Sequence, residues 1–178
     1  HLHFDHAGGL LAPYAPGQAP RLLFPKARFI ASARAWERAN APHARDKASF
    51  VAELQPLLVA SDRLELVDGA HSDTLGRDVR FHYSDGHTPG LLLAEVGSAR
   101  GPIVFGADLI PGAPWVHLPI TMGYDRSPEL VVDEKRALLT DLVARSGSLF
   151  FTHDPDVALA RVVRDENGRF SAAAPVSE

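Results

Sequence analysis

The sequence predicts a layered α/β (α+β) sandwich, and three observations carry that prediction. Short apolar runs bounded by Gly and Pro, the mark of buried strands, alternate along the 178 residues with stretches of helical character. The later strands follow one another closely enough to pair antiparallel. Hydrophobic residues at 46% and charged residues at 22% suffice for one ordinary globular core, so residues 1–178 read as a single domain.

Taken in order, residues 7–25 carry Gly8, Gly9, Pro13, Pro16, Gly17, Pro20 and Pro25 and read as a loop with at most one helical turn. Residues 27–33 (ARFIASA) suit a strand. Residues 36–40 and 47–58 read as helical, with Pro42 breaking the chain between them. Residues 64–67 form a strand candidate, and 79–83 set Val79, Phe81 and Tyr83 against Arg80 and His82, the period of a half-buried strand. Residues 91–96 and 103–105 read as buried strands. The clearest helix runs from Pro128 to about Arg145, with Ser127 as cap, Pro128 in the first turn and Gly147 at the C′ position. Leu138 with Leu142, and Leu139 with Val143, give it an apolar stripe. Residues 149–152 read as a strand ending at His153, and 157–163 with 170–172 as a hairpin across the Asn167-Gly168 turn.

Composition excludes several classes of function. Eighteen Lys and Arg against 22 Asp and Glu give a net charge of −4, so no basic field is present for nucleic acid or an anionic membrane. The absence of cysteine excludes thiol catalysis, cysteine-bound zinc and disulfides, and leaves the compartment open with the cytoplasm favoured. No apolar run approaches the roughly 20 residues that span a bilayer. The partner expected is a small-molecule substrate, with a homodimer left open. The chain starts at His1 rather than Met, on a motif dense in chemistry, so an N-terminal part of the domain is expected to be missing.

That motif is His1-Leu2-His3-Phe4-Asp5-His6. Imidazole and carboxylate are the protein ligands of Zn²⁺ when thiolate is absent. In extended backbone His1 and His3 point the same way, and Asp5 and His6 turn to a second point nearby. An affinity tag would be homopolymeric histidine, whereas this motif runs directly into Ala7-Gly8-Gly9. Three further features fit: His87 in Asp85-Gly86-His87-Thr88-Pro89-Gly90, Asp108 in Gly106-Ala107-Asp108, and His153 in Thr152-His153-Asp154-Pro155. Each follows an expected strand, where α/β folds build their sites.

In this order the motifs resemble the metallo-β-lactamase-fold hydrolases, over nearly the whole chain. The resemblance implies a four-layer αββα sandwich whose first strands this chain lacks. It implies that His1, His3 and His87 hold one metal, that Asp5, His6 and His153 hold another, and that Asp108 bridges the two. It implies two Zn²⁺, with Fe or Mn as substitutes, and a hydrolase in which Asp5 and Asp108 serve the chemistry. Two metals about 3.5–4 Å apart share a water, lower its pKa towards 7 and polarise a carbonyl or phosphoryl oxygen. The segments Thr152-His153-Asp154-Pro155 and Met122-Gly123-Tyr124-Asp125 look most like the lactonase and organophosphate-hydrolase branch, so a lactone, ester or related small molecule is the expected substrate. The alternatives on the same fold are an iron-dependent oxidoreductase of the persulfide dioxygenase type and a thioesterase. Two positions depart from the family pattern: Leu91 follows Gly90, and Pro111 stands where some lactonases carry a tyrosine.

Residues 111–124 (PGAPWVHLPITMGY) have no period and many bulky side chains. They are expected to wall an apolar substrate pocket, with Trp115, His117, Met122 and Tyr124 as substrate-binding residues. The opposing reading is a loop packed on the core. His43, His71 and His82 read as surface histidines.

Overall fold

The computed structural model describes residues 1–174, so the last four residues of the expected domain lie outside the described residues. Two sheets form, with helices packed on each, which is the α/β class that the sequence predicts. In chain order the elements are α1 (Phe4–Ala7), β1 (Phe29–Ser32), α2 (Ala33–Asn40), α3 (Leu54–Ala60), β2 (Leu64–Val67), β3 (Val79–Ser84), β4 (Leu91–Val96), β5 (Ile103–Phe105), α4 (Pro128–Ala144), β6 (Ser148–Phe150), β7 (Leu159–Arg164) and β8 (Phe170–Ala173). Strands β1 and β2 pair parallel as a small sheet, and β3 to β8 form a six-stranded sheet in sequence order. That larger sheet is antiparallel except at β5–β6, where Val104 lies opposite Leu149 and α4 provides the crossover. Among the described residues no helix is long and apolar enough to cross a membrane.

Two apolar clusters hold these layers. One gathers Leu91, Leu93, Val104, Ile110, Leu139, Leu142 and Leu149 between α4 and the large sheet. The other gathers Leu2, Phe29, Ala35, Leu54 and Leu58 around the small sheet.

Four local expectations shift. The helix expected over 47–58 splits into a 3-10 turn at Lys47–Ser49 and α3 from Leu54. Phe50 is extended between them because it pairs with His3 as an isolated bridge, which a helix would forbid. Helix α2 starts at Ala33, three residues before the expected Trp36, since the Ser32 hydroxyl caps it by accepting from the Ala35 amide at 3.3 Å. Ser127 sits at the N-cap of α4 without a side-chain cap bond, and Ser146, not Gly147, takes the left-handed conformation after its end, with φ 57°. At Gly147 a Cβ would lie 2.5 Å from Leu142 Cδ2, so any larger residue would have to displace that buried side chain. Strand β6 ends at Phe150, two residues before expectation, because the chain turns away to bring His153 under the loop after β5.

Candidate metal centre

Each segment of the site is aimed by a different local device. Leu2 is buried in the smaller core, so the extended backbone around it sends His1 and His3 to the other side. His3 is the N-cap of α1, and its carbonyl accepts from the His6 and Ala7 amides at 3.1 and 2.8 Å. That single turn of helix reverses the chain and lifts Asp5 and His6 beside the first pair.

His87 follows β3 in a turn braced from α4. The Glu134 carboxylate accepts from the Ser84 hydroxyl at 2.6 Å, the Asp85 amide at 2.8 Å and the Gly86 amide at 3.2 Å. Gly86 is obligatory because a Cβ would lie 2.6 Å from the Val131 backbone nitrogen. The turn closes at Gly90 (φ 76°), whose amide donates to Asp85 at 2.8 Å.

Asp108 follows β5, where the Gly106 amide donates to the Phe150 carbonyl at 2.9 Å. Ala107 between them has φ 42°, a left-handed conformation that costs a non-glycine residue roughly 1–2 kcal/mol and points Asp108 inward. His153 is tied by its amide to the Pro111 carbonyl at 2.9 Å, and Asp154 accepts from the Ala113, Asp156 and Val157 amides at 2.8–3.0 Å.

These devices bring all seven side chains named from the sequence into one cluster. His1, His3 and His87 form one group with potential ligand atoms within 4.8 Å of one another, and Asp5, His6, Asp108 and His153 form a second. Asp108 lies between them. Its Oδ2 is 3.7 Å from His1 Nε2 and 3.2 Å from His87 Nε2, while its Oδ1 is 3.1 Å from His6 Nε2 and 3.2 Å from His153 Nε2. Asp5 Oδ2 is 3.5 Å from His6 Nε2 and 3.6 Å from His153 Nε2.

The donor set fits metal ions. His1 Nε2, His3 Nε2, His87 Nε2 and Asp108 Oδ1 are all buried without a hydrogen-bond partner, an arrangement that is costly unless a cation collects the lone pairs. Burial and the neighbouring His87 push the His3 imidazole down to about 4, so it is neutral and its lone pair is free at physiological pH. Burial would raise the Asp108 carboxyl, but His6, His87 and His153 outweigh it and hold the group below the usual carboxylate range. Asp108 is therefore ionised.

Sequence reasoning missed Asp125. Its Oδ1 accepts from His87 Nδ1 at 2.8 Å, its Oδ2 accepts from the Met122 amide at 2.7 Å, and it is buried. A carboxylate can only accept here, so the proton sits on Nδ1 and the lone pair on Nε2 faces the cluster. The signal was in hand as the fourth residue of Met122-Gly123-Tyr124-Asp125, but 38 positions separate it from His87.

The loop 111–124 needs correction. Beside the cluster lies a cavity of about 390 Å³ lined by His3, Phe4, Asp5, Arg45, Asp46, Ser49, Asp108, Tyr124 and Arg126. Of the four residues expected to bind substrate, Tyr124 reaches it; Trp115, His117 and Met122 do not line it. Trp115 packs against the large core, and Met122 is buried. The cause is Lys135, fully buried on α4, whose ammonium donates to the carbonyls of His117, Leu118 and Ile120 at 3.0, 3.2 and 2.8 Å and ties the loop down. His82 also differs from its surface reading. It is half-buried, and its Nε2 lies 2.7 Å from Glu95 Oε2, a carboxylate that also accepts from Arg145 at 2.7 and 2.9 Å. His43 and His71 are exposed.

Residues 1–153 match the model of the metallo-beta-lactamase superfamily, and the chain belongs to that family. No curated protein matches it. Among solved structures, it is similar in fold to a probable metal-dependent hydrolase from Staphylococcus aureus, at 21% identity and TM-score 0.81 over 100% of this chain and 61% of that one. It is similar to AidC, a dizinc quorum-quenching lactonase in complex with a product, at 20% identity and TM-score 0.69 over 89% of this chain and 58% of that one. It is also similar to the hydrolase AbOPH, at 16% identity and TM-score 0.76 over 100% of this chain and 63% of that one. The chain thus spans about three fifths of the length of these structures.

Proposed function

We propose that this chain carries the catalytic centre of a dinuclear metal-dependent hydrolase, with zinc as its metal and a small lactone, ester or related molecule as its substrate. The observation that carries the reading is the division of Asp108, with one carboxylate oxygen toward His1 and His87 and the other toward His6 and His153. In this reading His1, His3 and His87 hold one ion, Asp5, His6 and His153 hold the other, and Asp108 serves both. The fold likeness to a dizinc lactonase and to the hydrolase AbOPH supports the substrate class.

Bound metal ions supply an acidified water and a Lewis acid toward a carbonyl or phosphoryl oxygen. The chain's own residues do the rest. Two carboxylates among otherwise neutral imidazoles would offset only half the charge of two divalent ions, so the loaded centre would stay net positive, which favours charge building up on the substrate oxygen. Asp125 fixes the His87 tautomer. Asp5 is the more open of the two carboxylates, with its side chain 40% exposed against 4% for Asp108, so its carboxylate takes the proton given up by the attacking water and returns it to the leaving oxygen. Tyr124 stands at the cavity with its ring centroid 5.8 Å from that of His87. Burial and the carboxylates of Asp108, Asp125 and Asp5 push its phenol up, so it stays protonated and donates a hydrogen bond to the substrate.

The test is elemental analysis of the purified protein beside a panel of lactone, ester, phosphotriester and thioester substrates, before and after chelation. Two metal equivalents, and lactone or ester turnover that is lost with chelator and regained with zinc, are expected. Oxygen uptake with a persulfide, preferred thioester turnover, or ester and lactone turnover indifferent to chelator would each overturn the proposal.

A further inference from the structure

We propose that the cavity beside the centre selects substrates bearing an oxyanionic group, a carboxylate or a phosphate, which Arg126 and Arg45 hold while the scissile bond faces the metal ligands. The inference rests on the hydrolase reading for the site's chemistry, but its evidence is a separate set of residues.

The cavity that touches His3, Asp5 and Asp108 is also lined by two guanidinium groups, those of Arg45 and Arg126. Arg126 is built into the site, because its backbone amide donates to the His87 carbonyl at 3.2 Å. Its side chain is 18% exposed, and Nη1 is buried without a hydrogen-bond partner. The other contacts of this guanidinium are long: Nη2 lies 3.4 Å from His43 Nδ1, and Nε lies 4.0 Å from Asp46 Oδ2. The Oδ2 of that aspartate already accepts from Arg38 Nε and Nη2 at 2.9 and 2.7 Å, while its Oδ1 is buried without a hydrogen-bond partner and makes no bond to Arg126. Arg45 reaches across the mouth, where its Nη2 donates to the Gly123 carbonyl at 3.2 Å, one residue before Tyr124.

The charges around the cavity decide what fits. Asp5 and Asp108 belong to the metal centre in the reading above, and Asp46 is matched by Arg38. Two guanidinium groups, Arg38 and Arg126, share the one carboxylate of Asp46, Arg126 only at 4.0 Å, and the Arg45 guanidinium donates to a backbone carbonyl, so the cavity keeps an excess of positive charge in a chain whose net charge is −4. A carboxylate or phosphate entering the cavity supplies acceptors, in the fork geometry that guanidinium prefers, to the parts of Arg45 and Arg126 that line it. An apolar acyl tail offers neither guanidinium an acceptor.

The experiment compares three 4-nitrophenyl esters of matched length on the metal-loaded protein: valerate, the glutarate monoester, and the ester of 4-phosphonobutanoate. At least one charged ester is expected to exceed the valerate ester by about tenfold or more in kcat/KM. The preferred one names the oxyanion. Arg126→Met and Arg45→Met are each expected to bring that ratio at least fivefold closer to one, with Arg126→Lys intermediate and metal content unchanged by elemental analysis. Calorimetry on the hydrolysis-resistant pair of glutaric acid monoanilide and valeranilide gives the same comparison without turnover. A valerate ester hydrolysed as well as both charged esters overturns the inference and leaves the hydrolase reading standing. Absence of all ester and lactone turnover in a fully metallated protein removes the hydrolase reading, and equal anilide affinities then remove this one as well. A preference for the charged ligand that survives both arginine variants places the oxyanion on the metals and also overturns it. Should Arg126→Met fail to fold, the exposed Arg45 carries the test.

Discussion

Replacing Asp125 by alanine should lower metal affinity without touching any proposed ligand. In the native structure Asp125 Oδ1 accepts from His87 Nδ1 at 2.8 Å, and Oδ2 accepts from the Met122 amide at 2.7 Å. Alanine removes the acceptor that keeps the proton on Nδ1, so the imidazole can present a protonated Nε2 to the centre. Loss of such an outer hydrogen bond typically costs 10–100-fold in metal affinity, or about 1.4–2.7 kcal/mol. The Met122 amide is left buried and unpartnered, which adds about 1–3 kcal/mol of lost stability. Asp125→Asn keeps an oxygen acceptor but loses the charge, so its loss should lie near tenfold. Competition with a chromogenic chelator measures the affinity, and thermal melts of the metal-free proteins separate it from folding. An Asp125→Ala protein that melts as a folded domain yet binds metal within twofold of wild type would refute the reasoning, since His87 would then be oriented by something else.

Asp108→Ala should lose metal and activity together, because one carboxylate faces both groups of ligands; full metal content by elemental analysis would dismiss its bridging role. Lys135 is buried and pushed down to about 8 by that burial, against the pull of Asp125, so the unfolded chain binds its proton more tightly. Wild-type stability should therefore rise between about pH 8 and 10.5, by on the order of 3 kcal/mol at most, and Lys135→Met should lack that rise in urea titrations. The Glu95 carboxyl is held down to about 2, first by hydrogen bonds from Arg145 and then by His82, over the cost of burial. Its contribution is fully present above about pH 4.5 and is lost as pH falls towards 2, so Glu95→Gln should flatten the acid limb of the stability profile; an unchanged limb would show the network to be idle. Trp115→Ala should cost about 2–4 kcal/mol of stability with little change in the ratio of kcat/KM between ester chain lengths; a changed ratio would return this side chain to the substrate pocket.

The proposed ligands were legible because their signal is short-range. Two histidines at i and i+2 with an aspartate and histidine in the next turn are recognised from local backbone geometry, while the three His or Asp residues at strand ends, weak singly, are assigned by the order of motifs that resembles the family. The strands were legible on the same terms, since Phe81, Leu91, Leu93, Val104 and Leu149 announce burial by their own sequence neighbourhood. What escaped depends on contacts between distant segments. Asp125 meets His87 across 38 positions, and Glu134 braces the His87 turn from a helix about 50 positions away.

Lys135 makes the same point from the other direction. A lysine at helical spacing between Val131 and Leu138 reads as the polar edge of an apolar stripe, yet it is the side chain that fixes the 111–124 loop. An aperiodic run rich in Trp, Leu, Ile and Met is ambiguous, because a pocket wall and a packed loop need the same apolar residues. The ambiguity ends once three backbone carbonyls of that run need a buried donor and one ammonium supplies it. With the loop tied to the core, the side chains left to meet a substrate come from elsewhere: Tyr124 and Arg126 just past the tether, and Arg45 from the loop after α2. The proposed specificity therefore rests on charged residues whose partners the linear sequence does not announce, while the proposed metal ligands, distant from one another as they are, each stand in a short motif that the sequence does announce.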